Sequence, residues 1–146
     1  MFVLASSRLL AAAPLVALVA LVGCVSHLPA LPRDASVGNA PAAMPTPEIL
    51  GNAAPPKLLA MHFSSLDLRR GTTWHGSFVT STNTASVEVR TNLFSIDVPR
   101  TGFGEFSFSL ALFDWPPIFT RSYALRVIAR NSAGVRSEQD LPLVMQ

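Results

Sequence analysis

The chain has 146 residues, enough for one domain; 49% of them are apolar and only 14% are charged. Its net charge of +2 comes from basic residues scattered along the sequence, so the clustered basic surface that nucleic-acid binding requires is absent from the pattern. The single cysteine excludes an internal disulfide bond. The folded part must therefore be held together by its apolar core.

The first 24 residues have the three parts of an export signal. A short segment with one positive charge at Arg8 precedes an apolar run over residues 9–21, and small residues then lead to Cys24. The sequence Leu21-Val22-Gly23-Cys24 resembles the lipobox of bacterial lipoproteins. The resemblance implies a signal peptide over residues 1–23 and a diacylglyceryl group on the Cys24 thiol, commonly with a further acyl chain, such as palmitate, on the freed amine. Several acyl chains make a permanent membrane anchor.

Two other interpretations of the leader stay open: an uncleaved membrane span, and a plain export signal with an incidental cysteine. The apolar stretch, about 17 residues long, is at the short end for a span. The only cysteine lies where a lipobox requires it, which favours the lipoprotein. Lipoproteins without Asp after the cysteine are usually sent to the outer membrane of a Gram-negative cell. Since Val25 follows Cys24, we expect a lipid-anchored protein of the cell envelope, in the outer membrane if the cell is Gram-negative.

Residues 24–57, which begin at the lipidated cysteine, are predicted to form a flexible linker. They contain seven of the 12 prolines and no aromatic residue, so they bury too little surface to repay ordering. Such a tether reaches ~100 Å when extended and ~30 Å as a coil. A soluble domain is then predicted over residues 58–146.

Apolar residues alternate with polar ones throughout this domain, as in Phe106-Ser107-Phe108-Ser109-Leu110. This period of two places one face in a core and the other in water. Four turns are predicted, over residues 68–71, 81–84, 99–102 and 131–134. The predicted strands are 58–63, 73–80, 85–91, 93–98, 104–113, 122–131 and 138–145. Seven short strands in about 90 residues favour an all-β sandwich, with a small barrel as the alternative.

Three segments resemble the bacterial immunoglobulin-like domains of cell-surface proteins. They are Ala85-Ser86-Val87-Glu88-Val89-Arg90, Gly104-Glu105-Phe106-Ser107-Phe108, and the run from Tyr123 to Gly134, YALRVIARNSAG. The resemblance implies an immunoglobulin-like sandwich in which the Tyr123 hydroxyl is tied to nearby backbone. Val135 replaces the Asn that is frequent in such domains, and the loop before Tyr123 is unusually long and apolar.

The sequence offers no catalytic, cofactor-binding or metal-binding constellation. His62 and His75 are too few for a metal site without carboxylates, and strand parity predicts that both face solvent. No serine lies in a Gly-x-Ser-x-Gly motif, and the carboxylates are dispersed. Asn131 is explained better by an Asx-type turn than by calcium binding. We therefore expect a protein that is not an enzyme and needs no cofactor.

The aromatic loop, residues 113–119 (FDWPPIF), is the most distinctive feature of the domain, because a connection between two strands is usually polar. If exposed, Trp115 and Phe119 are candidate contacts for a sugar or for an apolar patch on a partner. The alternative, which we favour, is that both rings plug the open end of the sandwich. The leading functional hypothesis is an envelope module that binds a protein partner or serves as a structural accessory subunit, and the alternative is a carbohydrate-binding surface lipoprotein.

Overall fold

The computed structural model describes residues 28–40 and 43–146. The predicted signal peptide and Cys24 lie outside these residues. The described chain forms ten strands and one 3-10 turn, Pro117–Phe119. In chain order the strands are β1 (Ala35–Val37), β2 (Leu58–Phe63), β3 (Asp67–Leu68), β4 (Thr73–Thr80), β5 (Thr84–Arg90), β6 (Ser95–Val98), β7 (Arg100–Gly102), β8 (Glu105–Ala111), β9 (Ser122–Asn131) and β10 (Arg136–Met145).

The strands form two five-stranded sheets, ordered β1-β2-β4-β8-β7 and β3-β10-β9-β5-β6. In immunoglobulin-like sandwiches, strands A, B and E face strands C, F and G, and β2, β4 and β8 face β5, β9 and β10 in the same way. The fold is therefore an all-β, immunoglobulin-like sandwich. The small barrel is wrong, because no ladder of hydrogen bonds joins the two sheets in the described residues.

All seven predicted strands are present, with ends that differ from the prediction by at most two residues. The alternation predicted the strands correctly because each main strand buries one face: along the first part of β9, Tyr123, Leu125 and Val127 are buried, and Ser122, Ala124 and Arg126 are exposed. The turn predicted at 99–102 is misplaced. Residues Arg100–Gly102 pair with β8, and the chain reverses just after them, at Gly104, whose φ of 70° favours glycine.

An aromatic cluster fills the centre of the sandwich. The ring of Trp74 stacks on Phe63 at 5.8 Å and meets the edge of Phe108 at 4.9 Å, centroid to centroid. The Trp74 Nε1–H donates to the Ser65 carbonyl at 2.8 Å, so its one polar group is satisfied. Gly76 lies directly under the Phe108 ring, where a Cβ would clash. Each such side chain contributes about 1.5–3 kcal/mol when fully buried, which is how a domain without disulfides is stabilised.

Residues 43–57, which we call the strap, are not the free linker that the composition predicts. The strap crosses one end of the sandwich and hydrogen-bonds to its turns, while β1 pairs in parallel with β2 from Ala35 to Val37. Prolines reduce the number of backbone donors but leave every carbonyl as an acceptor. Asparagine and serine side chains of the domain use these carbonyls, and the domain therefore begins upstream of residue 58.

Candidate functional site

The two ends of the sandwich are closed in different ways, and they contain the chemically distinctive residues of the domain. The strap covers one end, formed by the β4–β5 turn, the β9–β10 turn and the start of β8; we call it the cap end. The aromatic loop lies at the other end, beside the β5–β6 turn and the last residues of β10; we call it the loop end.

Asn83 in the β4–β5 turn is buried and fixes the strap. Its Nδ2 donates to the carbonyls of Gly51 and Ala54 at 3.0 and 2.8 Å, and its Oδ1 accepts from the Ser81 hydroxyl at 2.6 Å. Beside it, the backbone N–H of Thr82 donates to the Glu48 carbonyl at 2.8 Å. A buried amide is stable only when its hydrogen bonds are made, so the strap completes this end of the fold.

Asn131 has the same role in the β9–β10 turn. Its Oδ1 accepts from the backbone N–H groups of Ala133 and Val135 at 3.0 and 2.9 Å, which confirms the predicted Asx-type turn. Its Nδ2 donates to the carbonyls of Asn52 and Ala54 at 2.9 and 3.1 Å. The second pair of bonds was not predicted. Nothing in a single sequence indicates that Asn131 contacts a segment that lies 77 to 79 positions before it.

Two apolar side chains stand out at the cap end. Ile49 is 87% exposed and Phe103 is 82% exposed. Ile49 follows Pro47 by two residues and Phe103 precedes Gly104, and Pro47 packs against Gly104. Residues Arg100–Phe103 line an open groove of about 290 Å³ there, and the Arg100 guanidinium lies 5.3 Å from the centroid of the Phe106 ring. The strap presents Ile49 and the β7–β8 hairpin presents Phe103. The backbone of both segments is already fixed by hydrogen bonds, and we call these two residues the apolar pair.

At the loop end, Trp115 and Phe119 are both half-buried. Trp115 packs against the core and, with Leu68, Leu110 and Met145 among others, lines a small apolar cavity of about 190 Å³. Its Nε1 is buried without a protein acceptor. Trp115 therefore lies against the core as a plug rather than on an open platform.

Tyr123 fixes the aromatic loop at its far side. The hydroxyl donates to the Phe119 carbonyl at 2.9 Å, as the immunoglobulin-like resemblance implied. It also accepts from Nε of Arg121 at 3.1 Å, and that guanidinium lies 5.2 Å from the centroid of the Tyr123 ring. Because the ring is buried, this bond links the loop to the core.

Two residues of the aromatic loop that the sequence analysis did not single out are the exposed ones. Phe113 is 79% exposed and Ile118 is 76% exposed. No signal in the sequence separates them from Trp115, because residues in an irregular connection have no period from which a buried face can be assigned. Around this tip lie Arg70, with one terminal guanidinium nitrogen 3.5 Å from the Trp115 carbonyl, and Arg121.

The outer face of the β10-β9-β5-β6 sheet carries ion pairs. Arg130 donates to Glu88 at 2.7 Å, and hydrogen bonds from Ser95 and Arg130 hold the pKa of Glu88 below its usual range. The hydrogen bonds from Arg126, the nearest at 2.7 Å, likewise lower the pKa of Asp140. Such pairs are structural features of an exposed sheet face.

The histidines do not come together. His75 is exposed as predicted. His62 is half-buried beside the neighbouring strand β1, where its Nδ1 lies 2.9 Å from the Ser36 hydroxyl. The prediction that His62 faces solvent is wrong because it did not include β1. Among the described residues, no three His, Cys, Asp or Glu side chains form a group suited to a metal ion. Within the same residues, no helix has the length and apolar character needed to cross a membrane.

Neither a protein-family model nor a curated protein matches this chain. Among solved structures, the chain is similar to one described as "Structures of Clostridium thermocellum CbhA fibronectin(III)-like modules", with 17% identity and a TM-score of 0.43. The match covers 58% of this chain and 93% of that chain. No function is transferred at this level of similarity, and the assignment of the fold rests on the strand order and register described above.

Proposed function

We propose that this chain is a lipid-anchored, non-catalytic immunoglobulin-like module of the cell envelope that acts by binding a protein partner at its cap end. The observation that carries the binding role is the exposed apolar pair, Ile49 and Phe103, beside the Pro47–Gly104 contact. Large apolar side chains on fixed backbone are typical anchors of protein interfaces. Their presentation by hydrogen-bonded segments reduces the ordering cost of association.

The sheet edges are less suited to a partner strand. The edge strands β1, β3, β6 and β7 have between two and four residues each. The longest open edge is that of β10, where β3 pairs only with Val144 and Met145. Pro142 interrupts that edge, and Glu138 and Asp140 place charges along it. Short, charged and proline-containing edges discourage strand addition, so the turns and loops at the ends are the better contact surfaces.

The membrane anchor is the part of the proposal that rests on the sequence. Its support is the lipobox-like Leu21-Val22-Gly23-Cys24 after an apolar segment. Outer-membrane delivery in a Gram-negative cell is supported by Val25. Sugar binding through Trp115 and Phe119 is not carried forward, because an aromatic platform needs exposed rings and both are half-buried.

The anchor is tested by fractionation of the full-length chain with and without Cys24→Ser. We expect the parent to be in the membrane fraction with its leader removed, and the variant to lose processing at that site. If the variant is processed like the parent, or if the parent is never processed, the lipoprotein assignment is wrong.

The partner is tested by photo-crosslinking in cells, with a photoreactive residue in place of Phe103. The matched control carries the photoreactive residue in place of Ser132, which is exposed in the β9–β10 turn at the same end. We expect one discrete protein adduct from position 103 and none from position 132, with loss of the complex on Ile49→Ser. Identical adducts from both positions, or none from position 103, would contradict a partner site at the apolar pair.

A further inference from the structure

The loop end presents a second exposed apolar pair, Phe113 and Ile118, and its backbone is held on both sides. Between these residues Trp115 packs against the core, and after them the Tyr123 hydroxyl holds the Phe119 carbonyl at 2.9 Å. Leu112 is fixed in addition through its N–H, which donates to the Thr72 carbonyl at 2.8 Å. The tip is therefore a rigid apolar projection rather than a loose loop.

The charge around this tip is positive. Arg70 and Arg121 lie beside the aromatic loop. Arg90 ends β5 at the same end of the sandwich, in a groove that it lines with Asp140, whose charge is paired with Arg126. None of Arg70, Arg90 and Arg121 takes part in an ion pair within the described residues. Arg69 is paired with Asp67 at 3.6 Å, which leaves Asp114 as the acidic side chain of the loop itself. Exposed apolar side chains with arginines around them match an anionic lipid surface, whose headgroups attract the guanidinium groups.

The length of the chain before the domain brings this surface within reach. The first hydrogen bond between the N-terminal segment and the sandwich runs from the Met61 N–H to the Asp34 carbonyl, at 2.8 Å. Only nine residues separate Cys24 from Asp34, and they span at most ~30 Å. A domain held this close to an anchored cysteine lies next to the bilayer. Because a segment of this length lets either end of the sandwich reach the membrane, the arginines determine that the loop end is the one that contacts it.

We propose that the loop end docks on an anionic lipid bilayer, with Phe113 and Ile118 at the boundary between headgroups and acyl chains and Arg70, Arg90 and Arg121 on the phosphates. This inference rests on the proposed function, because the anchor at Cys24 supplies the proximity. Docking in this way turns the cap end, with Ile49 and Phe103, away from the membrane and toward a partner. The anchored module then has a fixed orientation instead of swinging on a tether.

The test uses the processed, lipidated protein reconstituted in vesicles, with an environment-sensitive dye on a new cysteine. Acylation blocks the thiol of Cys24, so Ile118→Cys and Phe103→Cys each provide a single reactive thiol at similarly exposed positions, 76% and 82%. Vesicles contain either phosphatidylglycerol with phosphatidylethanolamine or phosphatidylcholine alone, with brominated lipids as quenchers. We expect the dye at position 118 to gain intensity severalfold and to be quenched on the anionic vesicles, and the dye at position 103 to stay in water.

Arginine variants test the source of the attraction. In the Ile118→Cys background, Arg70→Gln combined with Arg90→Gln should reduce the gain on anionic vesicles to the level seen with phosphatidylcholine, whereas Arg136→Gln near the cap end should leave it unchanged. A protein that fails to stay with vesicles after detergent removal contradicts the anchor, and with it the proposed function. A protein that stays with vesicles while the dye at position 118 remains in water overturns docking alone. Insertion of the dye at position 103, or burial of position 118 only when envelope proteins are added, overturns it as well.

Discussion

Side-chain amides of Asn83 and Asn131 close the cap end by donating to backbone carbonyls of the strap, whereas at the loop end Trp115 covers the opening with apolar surface. The first closure is made of directional bonds between segments far apart in sequence. The second is made of apolar packing, by a side chain of one connection against the core. A bond-based closure depends on every partner being present, because a buried amide without one is costly. A packed closure tolerates changes of shape, and the two ends should therefore respond differently to substitution.

The largest difference is expected from removal of the strap. A chain of residues 58–146 lacks the three carbonyls that accept four hydrogen bonds from the Asn83 and Asn131 amides. At about 1 kcal/mol for each bond, the loss is about 4 kcal/mol, a large part of the 5–15 kcal/mol typical of a domain. Urea denaturation followed by tryptophan fluorescence measures it. The control is residues 43–146, which lacks only the segment with β1 and should unfold cooperatively near the midpoint of residues 28–146. Equal stability of the two truncated chains would mean that the strap adds nothing to the fold.

Asn131→Ala examines the same closure with one side chain. It removes two bonds to the strap and two to its own turn, and we expect a loss of about 2–3 kcal/mol in the free energy of unfolding. Ser132→Ala is the matched control, since this neighbour is exposed and surface changes usually stay within about 0.5 kcal/mol. Comparable effects of the two substitutions in urea denaturation would contradict a closure that depends on the bonds of Asn131.

The cap end also marks the limit of what the sequence could predict. The strands followed from alternation, because burial of one face leaves a period of two in the sequence. The strap left no such trace. A segment with four prolines and no aromatic residue has the composition of a linker, and its contribution consists of carbonyl oxygens that every residue possesses. Only the burial of Asn83 and Asn131, visible in the structure, reveals that these carbonyls are needed.

Tyr123→Phe tests the loop end at the bond that holds it. The ring stays in the core, but the Phe119 carbonyl loses its donor and Arg121 loses its acceptor. We expect a loss of about 1–1.5 kcal/mol, with faster amide exchange confined to residues 118–121. Phe119→Leu keeps the carbonyl and should leave the exchange of this segment slow. Exchange that accelerates across the whole domain would contradict a bond that acts locally.

Part of the loop end was predictable and part was not. The inward position of Trp115 follows from its size and apolar surface, and the tie of Tyr123 follows from the immunoglobulin-like resemblance. The outward positions of Phe113 and Ile118 do not follow, because residues in an irregular connection have no period from which a face can be assigned. The arginines around the tip come from three separate segments, and only the fold brings them together.

The sheet between the two ends contains ionisable side chains that stabilise the fold, whereas the closures at the two ends depend on amides and apolar side chains that do not titrate. Because hydrogen bonds from Ser95 and Arg130 lower the pKa of Glu88, this carboxylate stabilises the fold above its ordinary pKa of about 4.3, and the contribution is lost as pH falls through the lowered value. Glu88→Gln should cost about 0.5–1 kcal/mol at pH 7 and progressively less as the pH falls toward 2. Urea midpoints across this range measure the difference. A constant gap between parent and variant at all pH values would exclude the ion pair as its cause.

The smallest effect is expected where a donor already lacks an acceptor. Trp115 buries its Nε1 without a protein partner, so Trp115→Phe removes a polar group that makes no bond in the fold while keeping an aromatic plug. The lost contact area and the relieved desolvation oppose each other, and the change in unfolding free energy should stay within about 0.5 kcal/mol. Trp115→Ala, which enlarges the neighbouring cavity of about 190 Å³, should cost clearly more. If Phe were as damaging as Ala, the indole N–H would have to be bonded, and the loop end would then be closed by a directional bond just as the cap end is.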